Sequence, residues 1–432
     1  MYIPYLEIKN IRSISHFIME FPKGKEAGWH VLIGENGAGK SSIVRAIALA
    51  IIGPMEAQAL RLPLINWIKK NEESSDIFLT IQRDNFHDGY ASKKAPLKRP
   101  FDVSVKIEKE NSAGFEIGKL NGNDKPSTNP YEYIWSGKRG WFSASFGPFR
   151  RFTGGDKEWS KVYYSSPRAA AHLSVFGEDI ALTESLDWLS HMKFQSFESV
   201  SSATDTLEAM KIFINDGELL PKGVKMTEVS SAGVFFNDAN GFEVDVTQMS
   251  DGFRSLLSMI FELIRQMVKT YGEQEVFKDI LANKHAISLP GVVLIDEIDA
   301  HLHPTWQTRI GHWFTKYFPG VQFIVTTHSP LICRGCLNED GELNGSIWRL
   351  AAPGSSESSG QLDEVSRDRL LFGNVLDAYG TGVFGTNTSR SKEGNLKMNR
   401  LAELNVKSMI GAISEKEESE MHELKTIFPT HA

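Results

Sequence analysis

Val31-Leu32-Ile33-Gly34-Glu35-Asn36-Gly37-Ala38-Gly39-Lys40-Ser41-Ser42 decides how this chain is read. Three consecutive apolar residues predict a central buried strand, and the turn after them fits G-x-x-x-x-G-K-[ST]. Ile43, Val44, Ala46, Ile47, Leu49 and Ala50 then predict a helix packed on a sheet. In that context the glycines let backbone N–H groups turn inward around a polyphosphate. The helix N-terminus adds further N–H groups and a positive dipole end. Gly34, Asn36, Gly37, Ala38, Gly39, Lys40, Ser41 and Ser42 are therefore the expected nucleotide-binding residues. Lys40 would reach the outer phosphates, and the Ser41 hydroxyl would hold Mg²⁺.

Two later strands end in chemistry that fits this loop. Val292-Val293-Leu294-Ile295-Asp296-Glu297 reads as a buried strand closing on two carboxylates, the Walker B pattern. Asp296 would hold Mg²⁺ through water, and Glu297 would orient and polarise an attacking water. Phe323-Ile324-Val325-Thr326-Thr327 ends at His328, placed to reach the outermost phosphate. Between the phosphate loop and Walker B lies Gln248-Met249-Ser250-Asp251-Gly252-Phe253-Arg254, which opens the strongest amphipathic helix in the chain. Its stripe is Phe253, Leu256, Leu257, Ile260, Phe261, Ile264, Met267 and Val268. Ser250 is a natural N-cap, so a second anion-binding helix start is expected at Ser250 and Gly252.

The rest of the chain is read outward from these motifs. Tyr2–Ile8, Phe17–Phe21, Ile77–Gln82 and Phe101–Lys109 alternate as half-buried antiparallel strands. Gly53-Pro54 breaks the first helix. Trp141–Phe152 is dense in aromatics and contains Arg150-Arg151; it is either a strand running into a turn near the nucleotide or a core segment with a chance arginine pair. Arg12 is open in the same way, between a role at the nucleotide and a surface position. The basic loop Lys93–Arg99 reads as solvated. Glu178–Pro221 is helical but too short and irregular for a long coiled coil. Ala352–Gln361 has linker composition. Helices are expected over Asp363–Tyr379 and over a last segment with a Ser414/Glu417 capping box and an apolar face of Met421, Leu424 and Phe428, with a glycine-rich loop, Gly380–Asn387, between them.

The length, 432 residues, suits roughly two to three domain-sized units. The expected organisation is an N-terminal lobe over 1–165 with the phosphate loop, a helical insertion over 166–225, a C-terminal lobe over 226–351, and a helical extension over 362–432 for oligomer or partner docking. A net charge of −7 excludes a strongly basic whole-protein footprint for nucleic acid. Cys333 and Cys336 cannot build a disulfide framework, and without a second C-x-x-C or an H-x₃₋₅-H they do not complete a zinc site. His301 and His303 are read as positioning the loop after Walker B. No signal peptide and no membrane-length apolar run are read, so a cytoplasmic protein that does not engage a membrane is expected.

Phosphate loop, Ser-Asp-Gly helix start, Asp-Glu-x-Asp and strand-end histidine, in this order, resemble the ABC-type ATPases of the SMC/RecF class. The resemblance implies an α/β P-loop NTPase head of mixed and antiparallel sheets with flanking helices, carrying a short helical insertion instead of a coiled coil. It makes Ser250 and Gly252 the signature motif, Asp299 the D-loop and His328 the switch histidine. The signature is altered to Met249-Ser250-Asp251-Gly252-Phe253. Together with Asp296–Pro304, that departs from transporter subunits. A Q-loop glutamine is not assigned; Gln82 is one candidate. Ser145–Phe152, Leu173–Asp179, Ile298–Pro304 and Ile427–Thr430 resemble more particularly the PtuA-type ATPases of Septu and retron anti-phage systems. That likeness implies ATP and Mg²⁺ as cofactors, with ATP sandwiched between two copies of the chain so that Ser250 and Gly252 act in trans. It also implies a partner HNH nuclease of the PtuB type, through which the complex would meet nucleic acid. The alternative is a RecF-like repair ATPase that binds DNA itself.

Overall fold

The computed structural model describes residues 1–90, 99–112, 115–122, 130–152, 165–177, 182–198, 201–282, 285–354, 358–374, 378 and 391–428. The lysines of the basic loop, Gly380–Asn387, part of Leu173–Asp179 and Pro429-Thr430 lie outside them. Two units are distinct, Met1–Phe372 and Gly373–Ala432.

In the first unit, strands β1 (Tyr2–Ile11), β2 (Ile14–Glu20), β4 (Ser74–Gln82), β5 (Phe101–Ser112) and β6 (Phe115–Asn121) form an antiparallel sheet in the order β2-β1-β4-β5-β6. The second sheet runs β14-β13-β3-β12-β11-β7. Its members are β3 (Gly28–Gly34), β7 (Ser143–Phe146), β11 (Gly291–Ile295), β12 (Val321–Thr327), β13 (Gly345–Leu350) and β14 (Gly360–Gln361), all parallel except β14. Every residue of β3, β11 and β12 is buried, as near-continuous apolar runs covered on both faces require. Helix α1 (Lys40–Ala57) packs against strands of both sheets, and Ile43, Val44, Ile47 and Ile51 join the core they share. It leaves helical conformation at Gly53 (φ 81°), where a Cβ would lie 2.6 Å from the Trp135 ring. By length and composition Lys40–Leu60 could cross a membrane, against the reading that no run is long enough; 72% of that window is buried inside the protein, as in a core helix.

Helices α2 (Glu184–Phe197) and α3 (Ser201–Asp216) pack on each other and on the hairpin sheet β8 (Lys225–Ser230), β9 (Gly233–Asn237) and β10 (Glu243–Asp245). They are 14 and 16 residues long. Helix α4 (Asp251–Tyr271) buries Leu256, Leu257, Ile260, Phe261, Ile264 and Met267 along the stripe read from the sequence. Helix α5 (Glu273–Leu281) folds back on it. Helix α6 (Ile310–Tyr317) covers the other side of β3, its Phe314 stacked on Trp29. The helix expected from Asp363 is described as α7 (Glu364–Phe372) and belongs to the first unit.

The second unit contains a helical hairpin, α8 (Lys392–Met409) and α9 (Glu415–Ile427). The Ser414/Glu417 capping box forms, and Leu401, Leu404, Met421 and Leu424 make its core, with Phe428 packed against it.

Candidate functional site

Strand order brings the motifs together. β12 lies between β3 and β11, so three C-terminal ends stand side by side: Gly34 before the phosphate loop, Thr327 before His328, and Ile295 before Asp296. Ligands of parallel α/β sheets bind outside these carboxyl ends.

The loop's shape comes from its glycines. Gly39 has φ 103°, and a Cβ there would meet Ile14 and Ser13 at 2.9 Å. A Cβ on Gly34 would lie 2.5 Å from the Leu350 carbonyl of neighbouring β13. The first turn of α1 carries no acidic residue, which keeps its N-terminus suited to an anion. Lys40 is buried; its Nζ donates to the carbonyls of Gly34 (2.7 Å) and Glu35 (3.0 Å) and lies 3.4 Å from His328 Nδ1. Burial pulls the Lys40 ammonium down to about 8, against the upward pull of Asp296, Glu297 and Asp299. Half-buried His328 is also pushed below its ordinary value, by burial and then by Lys40. A neutral imidazole there accepts from Lys40.

Ser41 Oγ donates to Asp296 Oδ1 at 3.1 Å, joining the two motifs. The same carboxylate oxygen accepts from Thr326 Oγ1 at 2.6 Å, and Thr326 Oγ1 in turn accepts the Glu297 N–H at 2.8 Å. A hydroxyl and a carboxylate oxygen at this spacing suit a hard cation such as Mg²⁺, which keeps waters and takes phosphate oxygens as its other ligands. No group of three or more His, Cys, Asp or Glu able to hold a metal is found among the described residues, so the all-protein cage of a zinc site is not what these residues build. Cys333 and Cys336 are free, buried thiols whose ionisation burial suppresses. His303 caps the short helix Pro304–Gln307, its Nδ1 accepting from the Thr305 N–H.

Two contributors, Thr326 and Thr327, carry no functional reading in the sequence, and a third, Arg150, stands there between two open alternatives. Thr326 anchors both acids of Walker B. Thr327 Oγ1 donates to Asp299 Oδ1 at 2.6 Å and pins the loop after it. Arg150, 4% exposed, reaches the carbonyls of Asp296 and Glu297, each at 3.0 Å. A polar Thr-Thr pair closing a buried strand was the available signal for the threonines. For Arg150 the signal was an arginine just after a buried strand. Trp141–Phe152 thus contains both alternatives: Ser143–Phe146 is strand β7 beside Walker B, Trp141, Phe142, Phe146 and Phe152 are core, and Arg150 is in the site. Gln82 pairs with Tyr2 at the start of β1, whereas the phosphate loop lies by Ile14, beyond the other end of that strand. Gln82 is therefore not a nucleotide residue. Arg12 lies half-buried over the Trp67 ring, 5.1 Å from its centroid, in the turn next to Gly39.

Ser250 stands at the N-cap of α4 with no side-chain capping bond. Its helix start touches the loop after Walker B, since a Cβ on Gly252 would be 2.9 Å from the His301 carbonyl.

Septu protein PtuA of Bacillus mycoides (strain KBAB4) is 28% identical over 346 residues, 79% of this chain and 40% of that protein. The Escherichia coli protein named Retron Ec83 probable ATPase is 38% identical over 99 residues, 22% of this chain and 16% of that one. The chain therefore spans less than half the length of these curated relatives. A solved SMC head bound to the C-winged helix domain of ScpA aligns at 17% identity with TM-score 0.48, over 84% of this chain and 99% of that one. The model described as "AAA domain, putative AbiEii toxin, Type IV TA system" matches residues 30–334, from strand β3 past the strand-end histidine, and the chain belongs to that family.

Proposed function

We propose that this chain binds ATP with Mg²⁺ and hydrolyses it slowly, as the regulatory ATPase of an anti-phage defence complex in the cytoplasm. The observation that carries the reading is the 3.1 Å contact between Ser41 and Asp296, which sets a phosphate loop and a Walker B acid around one point. Gly34, Asn36, Gly37, Ala38, Gly39 and Ser42 supply the cradle, and Lys40 turns from the loop carbonyls to the outer phosphates. Ser41, and Asp296 through water, would hold Mg²⁺, which would supply charge neutralisation at the phosphoryl oxygens. Glu297 takes the proton of the attacking water, and neutral His328 donates to the outermost phosphate. Ser250 and Gly252, at an uncapped and exposed helix start, cover the nucleotide of a second copy. ATP then joins two heads, and its loss separates them. Alignment with PtuA over most of the chain supports the defence setting; the regulated partner in this reading is an HNH nuclease of the PtuB type.

The test uses the full chain. Lys40→Ala abolishes ATP binding. Glu297→Gln binds ATP but loses turnover by about 100-fold or more, and it accumulates as an ATP-dependent dimer or higher oligomer in light scattering. A Glu297→Gln protein that hydrolyses at the wild-type rate would sink the assignment. Co-purification of the nuclease from cells carrying the neighbouring genes checks the partner; a chain recovered alone removes it.

A further inference from the structure

Arg150 makes five hydrogen bonds with one guanidinium. Nη1 donates to the carbonyls of Gly147 (3.2 Å) and Asp296 (3.0 Å), Nη2 to those of Glu297 (3.0 Å) and Ile298 (3.5 Å), and Nε to Ser255 Oγ (3.2 Å). Burial lowers its pKa only to about 10, so it stays charged at neutral pH. A buried cation is costly unless its donors are used. Here four go to backbone carbonyls, three of them on successive residues of the turn that carries Glu297.

That turn needs holding. Glu297 has φ 47°, a left-handed backbone that a residue with a Cβ avoids. The fifth bond leads elsewhere, since Ser255 lies in the first turns of α4, on the helix that starts at Asp251-Gly252. Gly252 backs onto His301, at the far end of the same loop. One side chain thus ties the start of α4 to the backbone of the hydrolytic carboxylate.

We propose that Arg150 is a positioning residue that couples closure of a second copy over α4 to the placement of Glu297. The inference rests on the proposed ATP site between copies. When a nucleotide held by the second copy's phosphate loop engages Ser250 and Gly252, the start of α4 is fixed. Ser255 and Arg150 carry that constraint to the Asp296–Ile298 carbonyls, which set where the Glu297 carboxylate points.

The test compares Arg150→Met, Arg150→Lys and Ser255→Ala in the full chain, with thermal melting to confirm folding. ATP affinity is measured directly, turnover at saturating ATP, and ATP-dependent association in the Glu297→Gln background. A displacement of about 1 Å at a reacting group costs on the order of 100-fold, so Arg150→Met is expected to lose about that factor in kcat with ATP affinity within about twofold. Arg150→Lys recovers part of it. Ser255→Ala, which keeps the carbonyl grip, lowers turnover by about tenfold and weakens ATP-dependent association. The proposal is overturned if ATP affinity falls as far as turnover, if turnover tracks only the lost folded fraction, or if Ser255→Ala turns over and associates as the parent does. Failure of the underlying site reads differently: the unsubstituted chain would show no turnover, or Glu297→Gln alone would not associate, and both readings then fall together.

Discussion

The phosphate loop and the turn that carries Glu297 stand at the ends of strands of one sheet, and they hold their shapes by opposite means. The loop is shaped from within. Gly37 and Gly39 take positive φ, and Lys40 closes onto carbonyls of its own segment. The Walker B turn has no glycine. Glu297 sits at φ 47° because Arg150 grips its carbonyl and Thr326 receives its N–H, from segments 147 and 29 residues away. Left-handed backbone costs a non-glycine residue about 1–2 kcal/mol, and two hydrogen bonds of about 1 kcal/mol each offset it. A locally built element is most vulnerable to substitution within it. An element built by contacts from elsewhere can be moved by whatever moves those contacts.

The largest effect breaks the loop from within. Gly39→Ala places a Cβ 2.9 Å from Ile14 and Ser13 at a backbone φ of 103°. Strain of about 1–2 kcal/mol and crowding of about 1–3 kcal/mol reshape the cradle, so ATP binding is expected to weaken by about 100-fold with little loss of fold. Isothermal titration with ATP and Mg²⁺ measures it. Binding within about threefold of the parent would mean that the loop is held by its surroundings after all, and the contrast would fail.

This difference decides what was legible in the sequence. Gly34–Ser42, Asp296, Glu297, His328 and the α4 stripe lie in contiguous or periodic patterns, and the structure places the first four around one point. Arg150 and Thr326 act through atoms brought close only by strand order, and no local pattern announces that β7 lies beside β11. Gln82 shows the converse error: a glutamine at a strand end looks apt until register puts it at the wrong end of β1. Arg12 reads from the sequence as either a nucleotide contact or a surface residue, and only the fold sets it over Trp67.

Acid weakens both halves of the comparison at once and lets them be apportioned. His30, on the strand that feeds the phosphate loop, bonds Ser346 Oγ (2.8 Å) and the Glu26 carbonyl (2.8 Å). His172 bonds Ser143 Oγ (2.9 Å) and Ser145 Oγ (3.0 Å) on β7, the strand that feeds Arg150. Burial lowers His30 to about 4 and, with Arg168 adding to it, His172 to about 3, from 6.5. Both folded values lie below the unfolded one, so the unfolded chain takes up protons first. The stabilisation is complete above pH 6.5 and is lost as the pH falls towards 4 and 3. At pH 5 each histidine removes about 2 kcal/mol. Urea midpoints at pH 7 and 5 read this loss together with that of the other lowered histidines, and His172→Asn should remove about 2 kcal/mol of the difference. An unchanged difference would take His172 out of the acid response.

The smallest effect loosens the Walker B turn from outside. Thr326→Val keeps volume and strand propensity but removes one hydroxyl with two duties. Asp296 loses a donor at 2.6 Å, and the Glu297 N–H loses its acceptor at 2.8 Å. A hydrogen bond to a charged group contributes about 1.5–3 kcal/mol, and an unpaired backbone N–H costs about 1–3 kcal/mol, but Ser41 and Arg150 still hold their ends of the turn. The expected net cost is about 1.5 kcal/mol, seen as roughly tenfold lower turnover with ATP affinity nearly unchanged. Loss of affinity without loss of turnover would place Thr326 with the cradle instead, and the two halves of the site would then share one support. With Arg150→Lys added, the two losses should exceed their sum, because each variant removes the support on which the other relies.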